Sequence, residues 1–160
     1  MTAAPLSFGR MGPGDREAAF ELFLAFLQAD PHYLDVAETY GDGGPQALRR
    51  ALDLFVARPE HGFVWMARRG SQVVGCCVAC YAISTSRGAL VAKLDDVNVR
   101  PGLEGQGIGS AMLMSLKLEL RANGVTRIDT ATHVDNPGAR RFYERLGFAS
   151  LREERMSCLL

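Results

Sequence analysis

The chain has 160 residues, of which 48% are apolar and 22% are charged, as is usual for one folded domain in water. Lysine plus arginine and aspartate plus glutamate number 18 each, so the formal net charge is zero and predicts no nucleic-acid or membrane partner. Because no apolar run reaches the ~20 residues of a membrane span and residues 1–10 lack a signal-peptide pattern, we expect one cytoplasmic domain over residues 1–160.

The first half of the chain predicts one strand and two helices. Asp15 is the expected N-cap of the first helix, in which apolar side chains recur at helical spacing. Asp30-Pro31 ends that helix, because the residue before a proline disfavours helical backbone. The expected order is a strand at residues 6–11, a helix at 16–28, a loop without clear periodicity at 32–45 and a helix at 45–58.

The second half predicts mainly strands, from apolar alternation between turn residues. The expected order is strands at residues 62–68, 73–84 and 89–99, a helix at 111–120, a strand at 127–133, a helix at 136–146 and a last strand at 151–160. The strand after the first of these helices can pair in parallel with the strand before it through a right-handed crossover. The sequence therefore predicts an α/β fold of the α+β type, with a mixed central sheet of about six to seven strands flanked by about four helices.

Three of the four cysteines, Cys76, Cys77 and Cys80, lie in one predicted strand. Alternation along a strand places Cys76 and Cys80 on one face of the sheet and Cys77 on the other. No second His/Cys pair completes a zinc-binding spacing. We therefore expect buried free thiols and no bound metal.

Residues 97–110, VNVRPGLEGQGIGS, predict a strand, a glycine-rich turn and a helix. Gly105, Gly107 and Gly109 occupy every second position of that turn. Such a turn exposes backbone N–H groups at a helix N-terminus, where the helix dipole favours a phosphate or pyrophosphate. A Walker A loop is excluded because no lysine follows the glycines, and a dinucleotide fingerprint because the third glycine is absent. A glycine-rich connection without a ligand remains the alternative.

Two motifs resemble the GNAT superfamily of acyl-CoA N-acyltransferases. Residues 104–109, EGQGIG, resemble its pyrophosphate loop, Arg/Gln-x-x-Gly-x-Gly/Ala, except at the first position. Residues 136–148, NPGARRFYERLGF, resemble its pattern N-x-x-A-x-x-x-Y-x-x-x-G-F. An amphipathic helix alone would explain the spacing of the second motif, but not its occurrence after the first. The resemblance covers residues 73–148 well and the N-terminal third by element order.

The resemblance implies a single GNAT domain that uses acetyl-CoA as acyl donor and needs no metal. In that family the backbone of one strand binds the pantetheine arm, the glycine loop binds pyrophosphate, and a tyrosine approaches the thioester sulfur. The cofactor-binding residues that it implies here are Val97, Asn98, Val99, Gly105, Gln106, Gly107, Ile108, Gly109, Ser110, Asn136, Ala139 and Tyr143.

Glu104 departs from the family pattern, which has arginine or glutamine there. A carboxylate about 6 Å from one phosphate charge costs only about 0.7 kcal/mol in water. Because backbone N–H groups supply most of the binding, we expect weaker affinity for the donor rather than its loss. A side chain that points into solvent is the alternative.

Acetyl transfer to an amine requires a neutral amine, so a base must remove its proton. Asp95 and Asp96 are the candidate catalytic carboxylates, and since adjacent strand residues face opposite ways, at most one faces the cleft. Either could instead be solvated or paired with Lys93 or Arg127. Tyr143 is the candidate proton donor to the departing thiolate, and His133 is a lesser candidate for the site.

The sequence predicts an acetyl-CoA-dependent N-acetyltransferase that acts on the primary amine of a small molecule by direct attack on the thioester. Residues 93–99, KLDDVNV, also resemble a strand of spermidine/spermine-type and thialysine-type acetyltransferases. The acidic residues of segment 28–45 are candidates to line an amine site, or form part of a solvated loop; they are Asp30, Asp35, Glu38 and Asp42. A protein or peptide N-acetyltransferase and a non-catalytic acyl-CoA-binding module remain as alternatives, and a homodimer stays open.

Overall fold

The computed structural model describes residues 4–160, so residues 1–3 of the predicted domain lie outside it. Its elements in chain order are β1 Leu6–Arg10, a 3-10 turn Pro13–Asp15, α1 Arg16–Ala29, α2 Pro31–Tyr40, α3 Gly44–Ala57, β2 Gly62–Arg69, β3 Gln72–Ser84, β4 Ala89–Val99, α4 Ile108–Ala122, β5 Ile128–Thr130 and α5 Pro137–Arg145. In the described part of the chain no helix combines the length and hydrophobicity that a membrane span requires.

The described strands form one mixed sheet in the order β1-β2-β3-β4-β5. Strands β1 to β4 pair antiparallel, and β5 pairs parallel to β4 after the crossover through α4. The predicted mixed α/β class is thereby confirmed. The strand count differs, because the sheet of the described residues has five strands where about six to seven were expected.

Helix α2 replaces the predicted loop at 32–45. Its start has a strong local signal, since the Asp30 carboxylate accepts the N–H of Tyr33 at 2.8 Å and Pro31 occupies the first turn. Gly41 ends it with left-handed backbone at φ 69°. The helix has no buried residue, and for that reason its sequence shows no apolar periodicity. The prediction of a loop was wrong because it relied on periodicity alone.

The predicted last strand at 151–160 is also wrong. Residues 151–160 are exposed and pair with no strand of the described sheet. The charged run at residues 152–155 interrupts the apolar alternation that a strand covered on one face requires. The preceding strand is shorter than predicted too, with three residues in β5 instead of the whole of 127–133.

The core has two parts, one on each face of the sheet. Helices α1 and α3 cover the first face, where Cys76 and Val78 are buried. Helix α4 covers the second face, with α5 at its edge, and Cys77 and Leu94 are buried there. Cys80 packs against the first part, so the predicted alternation of the three cysteines is confirmed, and all three are free thiols.

Candidate active site

Strands β4 and β5 separate soon after they meet. Their register covers Ala92–Leu94 of β4 against the three residues of β5, and Thr130 Oγ1 closes the pair by donating to the Leu94 carbonyl at 2.9 Å. Strand β4 continues to Val99. In the described part of the chain, the main chain of Val97, Asn98 and Val99 therefore has no strand partner on this side. It forms one wall of an open cleft between the strands.

A β-bulge interrupts β4 at the start of this cleft. Asp95 stands opposite Val78 and Asn98 stands opposite Cys76, so two β4 residues, Asp96 and Val97, oppose Cys77 alone. Within residues 4–160, Asp96 is the one non-glycine residue with positive φ, at 54°. Asn98 stabilises the bulge, because its Nδ2 donates to the Asp96 carbonyl at 2.8 Å.

The bulge changes the phase of the strand. Leu94 lies on the α4 face, and with strict alternation Val97 and Val99 would lie on the opposite face. The extra residue returns both valines to the α4 face, where they pack against the same core as Leu94. The left-handed backbone of Asp96 accommodates this change of face.

The two candidate carboxylates have different surroundings. Asp95 is 27% exposed and pairs with Lys93 Nζ at 2.8 Å and with Arg155 at 3.9 Å, so one of the alternatives foreseen for it holds. The Asp96 carboxylate has no such partner among residues 4–160. Burial, with the neighbouring charge of Asp95, raises the pKa of Asp96 to about 6. Asp96 is thus the better base of the two.

Tyr143 lies on α5, on the other side of the cleft. Asn136 caps this helix, since its Oδ1 accepts the N–H of Ala139 at 3.1 Å. The Tyr143 ring packs edge-on between Phe142 and Phe148, with centroids 5.2 and 5.3 Å away. Burial raises the pKa of the Tyr143 hydroxyl to about 12, and the nearby acidic groups, Asp96 among them, add to this effect. The hydroxyl therefore remains protonated near neutral pH, within the electrostatic range of Asp96.

The glycine loop leads from β4 to the N-terminus of α4. Gly105 and Gly107 have left-handed backbone, at φ 74° and 77°, and a Cβ on either would meet no atom within 4 Å. Gly107 is the N-cap, and no side chain caps the helix. The first turn contains no acidic residue, so the free N–H groups of Ile108, Gly109 and Ser110 face no carboxylate of their own turn. This end of α4 suits an anion.

Gly109 has a different role from the other two loop glycines. A Cβ there would lie 3.4 Å from Phe142 Cζ, so its small size allows α5 to approach α4. Glu104 is exposed, and its Oε2 accepts the N–H of Gly102 at 2.7 Å. Its carboxylate is therefore engaged within its own turn.

Helix α2 contacts the segment that follows β5. His133 Nδ1 accepts the N–H of Asp135 at 3.1 Å, so the proton of the neutral ring is on Nε2, which lies 2.7 Å from Asp35 Oδ2. Tyr33 donates its hydroxyl to Asp42 at 2.7 Å. Burial raises the pKa of Tyr33, and the hydrogen bond to Asp42 and the charges of Asp42 and Asp96 add to the rise.

Sequence reasoning considered His133 and Asp35 separately and missed their contact and Tyr33. The N-cap and proline signal at Asp30-Pro31 could have revealed the helix that presents Asp35 and Tyr33, because that signal does not depend on burial.

Comparison with known proteins gives the following matches. The model of the Acetyltransferase (GNAT) family matches residues 21–148. A serotonin N-acetyltransferase 2, chloroplastic, of Oryza sativa subsp. japonica is 36% identical over 105 residues, 65% of this chain and 47% of that protein. An uncharacterized N-acetyltransferase of Methanocaldococcus jannaschii is 32% identical over 91 residues, 57% of this chain and 40% of that protein. The chain thus spans less than half the length of either curated relative.

Among solved structures, a transcriptional regulator from Bacillus halodurans C-125 superposes with a TM-score of 0.78 at 24% identity. The match covers 97% of this chain and 100% of that one. At this identity the likeness concerns the fold.

Proposed function

The chain belongs to the GNAT acetyltransferase family, and from that premise we propose that it transfers an acetyl group from acetyl-CoA to the primary amine of a small molecule, by direct attack of the amine on the thioester. The observation that carries the proposal is Asp96. Asp96 has a partly buried carboxylate without a side-chain partner in residues 4–160, and its strained backbone lies beside an open strand edge. Such a carboxylate lowers stability, and its use as a base accounts for it.

The residues around the cleft fit such a donor. The open N-terminus of α4 and the left-handed glycines before it present N–H groups to a pyrophosphate. The unpaired main chain of Val97, Asn98 and Val99 offers strand-type hydrogen bonds to the amide groups of a pantetheine arm. Asn136 and Ala139, at the start of α5, flank the same cleft. The donor supplies an activated acetyl carbonyl.

Asp96 removes the proton from the amine in this proposal. An ordinary aspartate has a pKa near 3.9 and is a weak base at neutral pH. Burial and the charge of Asp95 raise the pKa of Asp96 to about 6, so that its carboxylate is a stronger base and is still ionised at pH 7. Main-chain N–H groups of β4 beside the bulge stabilise the negative charge that develops on the carbonyl oxygen.

Tyr143 donates a hydrogen bond to the departing sulfur. Because burial raises its pKa to about 12, the hydroxyl keeps its proton across the working pH range. A thiol with a pKa near 8.5 is a stronger acid than this hydroxyl, so full transfer of the proton from Tyr143 to the thiolate is unfavourable. Its contribution is therefore donation to the developing negative charge, with proton transfer completed from the solvent side.

Helix α2 supports a small acceptor rather than a protein. It is joined to the segment between β5 and α5 by the contact of Asp35 with His133. The charge of Asp96 contributes to the raised pKa of Tyr33 on the same helix. A peptide substrate requires an open groove, whereas this arrangement narrows the approach to the base. In a non-catalytic module, the partly buried Asp96 carboxylate would lower stability and serve no purpose.

Turnover with a panel of amines tests the proposal. The panel contains polyamines, lysine analogues, serotonin and peptide N-termini, with acetyl-CoA as donor and free thiol as the readout. We expect turnover with at least one small amine, little with peptides, and a loss of rate in Asp96→Asn. A preference for peptides, or donor binding without turnover of any amine, would overturn it in favour of one of the alternatives.

A further inference from the structure

The glycine loop contains no cationic side chain. Residues 101–110 include no lysine or arginine, and Glu104 adds a negative charge. The Glu104 carboxylate is engaged by the N–H of Gly102, which orders it but does not neutralise it. A site for a doubly charged pyrophosphate is then left with backbone dipoles, unless a cation reaches it from another element.

Three arginines lie at the end of the sheet next to this loop, and their faces differ. Arg68 pairs with Asp15, which precedes α1, at 2.8 Å, so it is on the face covered by α1 and α3. Arg100 is two residues after Asn98 and lies on the same face of the sheet, where Asn98 contacts Cys76. The Nε of Arg100 donates to the Val73 carbonyl at 3.0 Å. Arg69 alternates with Arg68 and points to the face of α4.

Arg69 reaches the glycine loop directly. Its Nη1 donates to Oε1 of Gln106, which stands between Gly105 and Gly107, at 3.3 Å. Its Nε is buried and has no hydrogen-bond partner among the described residues. A guanidinium has five N–H donors, and with Nε enclosed and one Nη–H given to Gln106, three Nη–H donors remain for a ligand at this loop.

We propose that Arg69 binds the pyrophosphate of the acyl donor and supplies the positive charge that the first loop position lacks. Gln106 is a positioning residue, because its amide oxygen holds the guanidinium beside the N-terminus of α4. The planar fork of donors matches phosphoryl oxygens, and charge-assisted hydrogen bonds of this kind exceed neutral ones in strength. This inference rests on the proposed use of acetyl-CoA.

Calorimetric titration with coenzyme A and with dephospho-coenzyme A, which lacks the 3′-phosphate, tests the role of Arg69. For Arg69→Gln we expect the Kd of both ligands to rise about tenfold or more at low salt, with a weaker dependence of Kd on salt than in the wild type. S-acetyl-pantetheine has no pyrophosphate, so its kcat/KM as a donor stays unchanged. Arg69→Lys keeps the charge without the fork, and its Kd lies between the two.

Arg121→Gln is the matched control. It removes the same charge from the last turn of α4, about 20 Å along the helix from the loop, and leaves both Kd values unchanged.

Unchanged Kd values in Arg69→Gln overturn only this inference. Failure of the wild type to bind coenzyme A overturns the proposed function as well. If Arg69→Gln raises the Kd of coenzyme A but not that of dephospho-coenzyme A, Arg69 binds the 3′-phosphate and the pyrophosphate assignment is refuted. If kcat/KM with S-acetyl-pantetheine falls as much as coenzyme binding does, Arg69 has a structural role and the assignment is refuted as well.

Discussion

Asp96 combines two unfavourable features in one residue. Its backbone is left-handed, at φ 54°, which costs a non-glycine residue of order 1–3 kcal/mol. Its carboxylate is largely buried, so the charged form is poorly solvated and its pKa rises to about 6. Asparagine tolerates left-handed backbone about as well as aspartate does, so Asp96→Asn removes the charge with little change of conformation.

The pH dependence of turnover tests the role of Asp96. A base acts when it is deprotonated, so kcat/KM of the wild type should rise with pH through about 6. Asp96→Asn should lose that rise together with most of the rate. Asp95→Asn, the control, should keep the rise but move it to lower pH, because the charge of Asp95 helps to raise the pKa of Asp96. Wild-type rates in both variants from about pH 6 to 9 would exclude both carboxylates.

Tyr143 allows a similar separation of chemistry from packing. Tyr143→Phe keeps the ring between Phe142 and Phe148, so the melting temperature and the Kd for acetyl-CoA should change little. The loss of the hydrogen-bond donor should lower kcat by at least about tenfold. If the hydroxyl serves packing alone, the same variant shows lower stability with near-normal turnover. Measuring melting temperature, Kd and kcat on one preparation decides between these outcomes.

At the scale of elements, the glycine loop and α4 form one unit. Gly107 has φ 77°, where a side chain is strained, and a Cβ there points into open space beside the first N–H groups of α4. The same open space is where an anion would approach. Gly107 is therefore needed both for its backbone conformation and for the access of an anion to the helix N-terminus. Comparison with a variant at another left-handed glycine separates these two requirements.

Gly107→Val should abolish measurable binding of acetyl-CoA in a calorimetric titration, while the protein stays folded. Gly124→Val is the matched control, because Gly124 also has positive φ, 79°, and open space around its Cβ, but follows the other end of α4. Both variants should lose a similar amount of stability, of order 1–2 kcal/mol from left-handed backbone. Binding lost in both, or kept in both, would contradict the assignment of the loop.

Helix α2 shows how an element without buried residues is held in place. Its contacts are polar and aromatic: Asp35 with His133 at 2.7 Å, His32 against the His133 ring at 5.1 Å, and Arg155 over the Tyr40 ring at 5.3 Å. Such contacts contribute little each on a protein surface. Helix α2 therefore belongs to the less stable part of the fold, where substrate-binding elements are usually found.

At the scale of the whole molecule, Asp96 links folding stability to pH. Its pKa is near 3.9 in the unfolded chain and about 6 in the folded protein, so the folded state binds more protons between these values. The contribution of Asp96 to the free energy of unfolding therefore falls as pH rises from about 4 to 6, and the loss remains above that range. At working pH, the ionised Asp96 that serves as the base therefore lowers the free energy of unfolding.

The melting temperatures of Asp96→Asn and wild type across pH follow from this linkage. The variant should melt higher than the wild type at pH 8, because it carries no buried charge, and the difference should shrink towards pH 4. A variant that melts lower at pH 8 would show that the ionised carboxylate is stabilised by a contact that its raised pKa does not indicate. Kinetics and melting curves on the same samples thus test one residue in two independent ways.

The sequence alone determined the features that depend on neighbouring residues. The α/β class follows from the order and spacing of apolar segments, and these segments coincide closely with β2 to β4, α1 and α3. The glycine loop and the start of α5 at Asn136 could be located because turns and helix starts are properties of a few consecutive residues. Helix α2 was missed although its start has such a local signal, because the loop was predicted from apolar periodicity, which a helix without buried residues lacks.

The tertiary structure decided which side chains meet. Asp95 and Asp96 are equivalent in the sequence, and the bulge that distinguishes them exists because β3 and β4 pair with a shifted register. Arg69 reaches Gln106 from 37 residues away, and Asp35 reaches His133 from 98 residues away. These contacts depend on how strands and helices pack together, and packing is a property of the whole chain, so no local pattern encodes them.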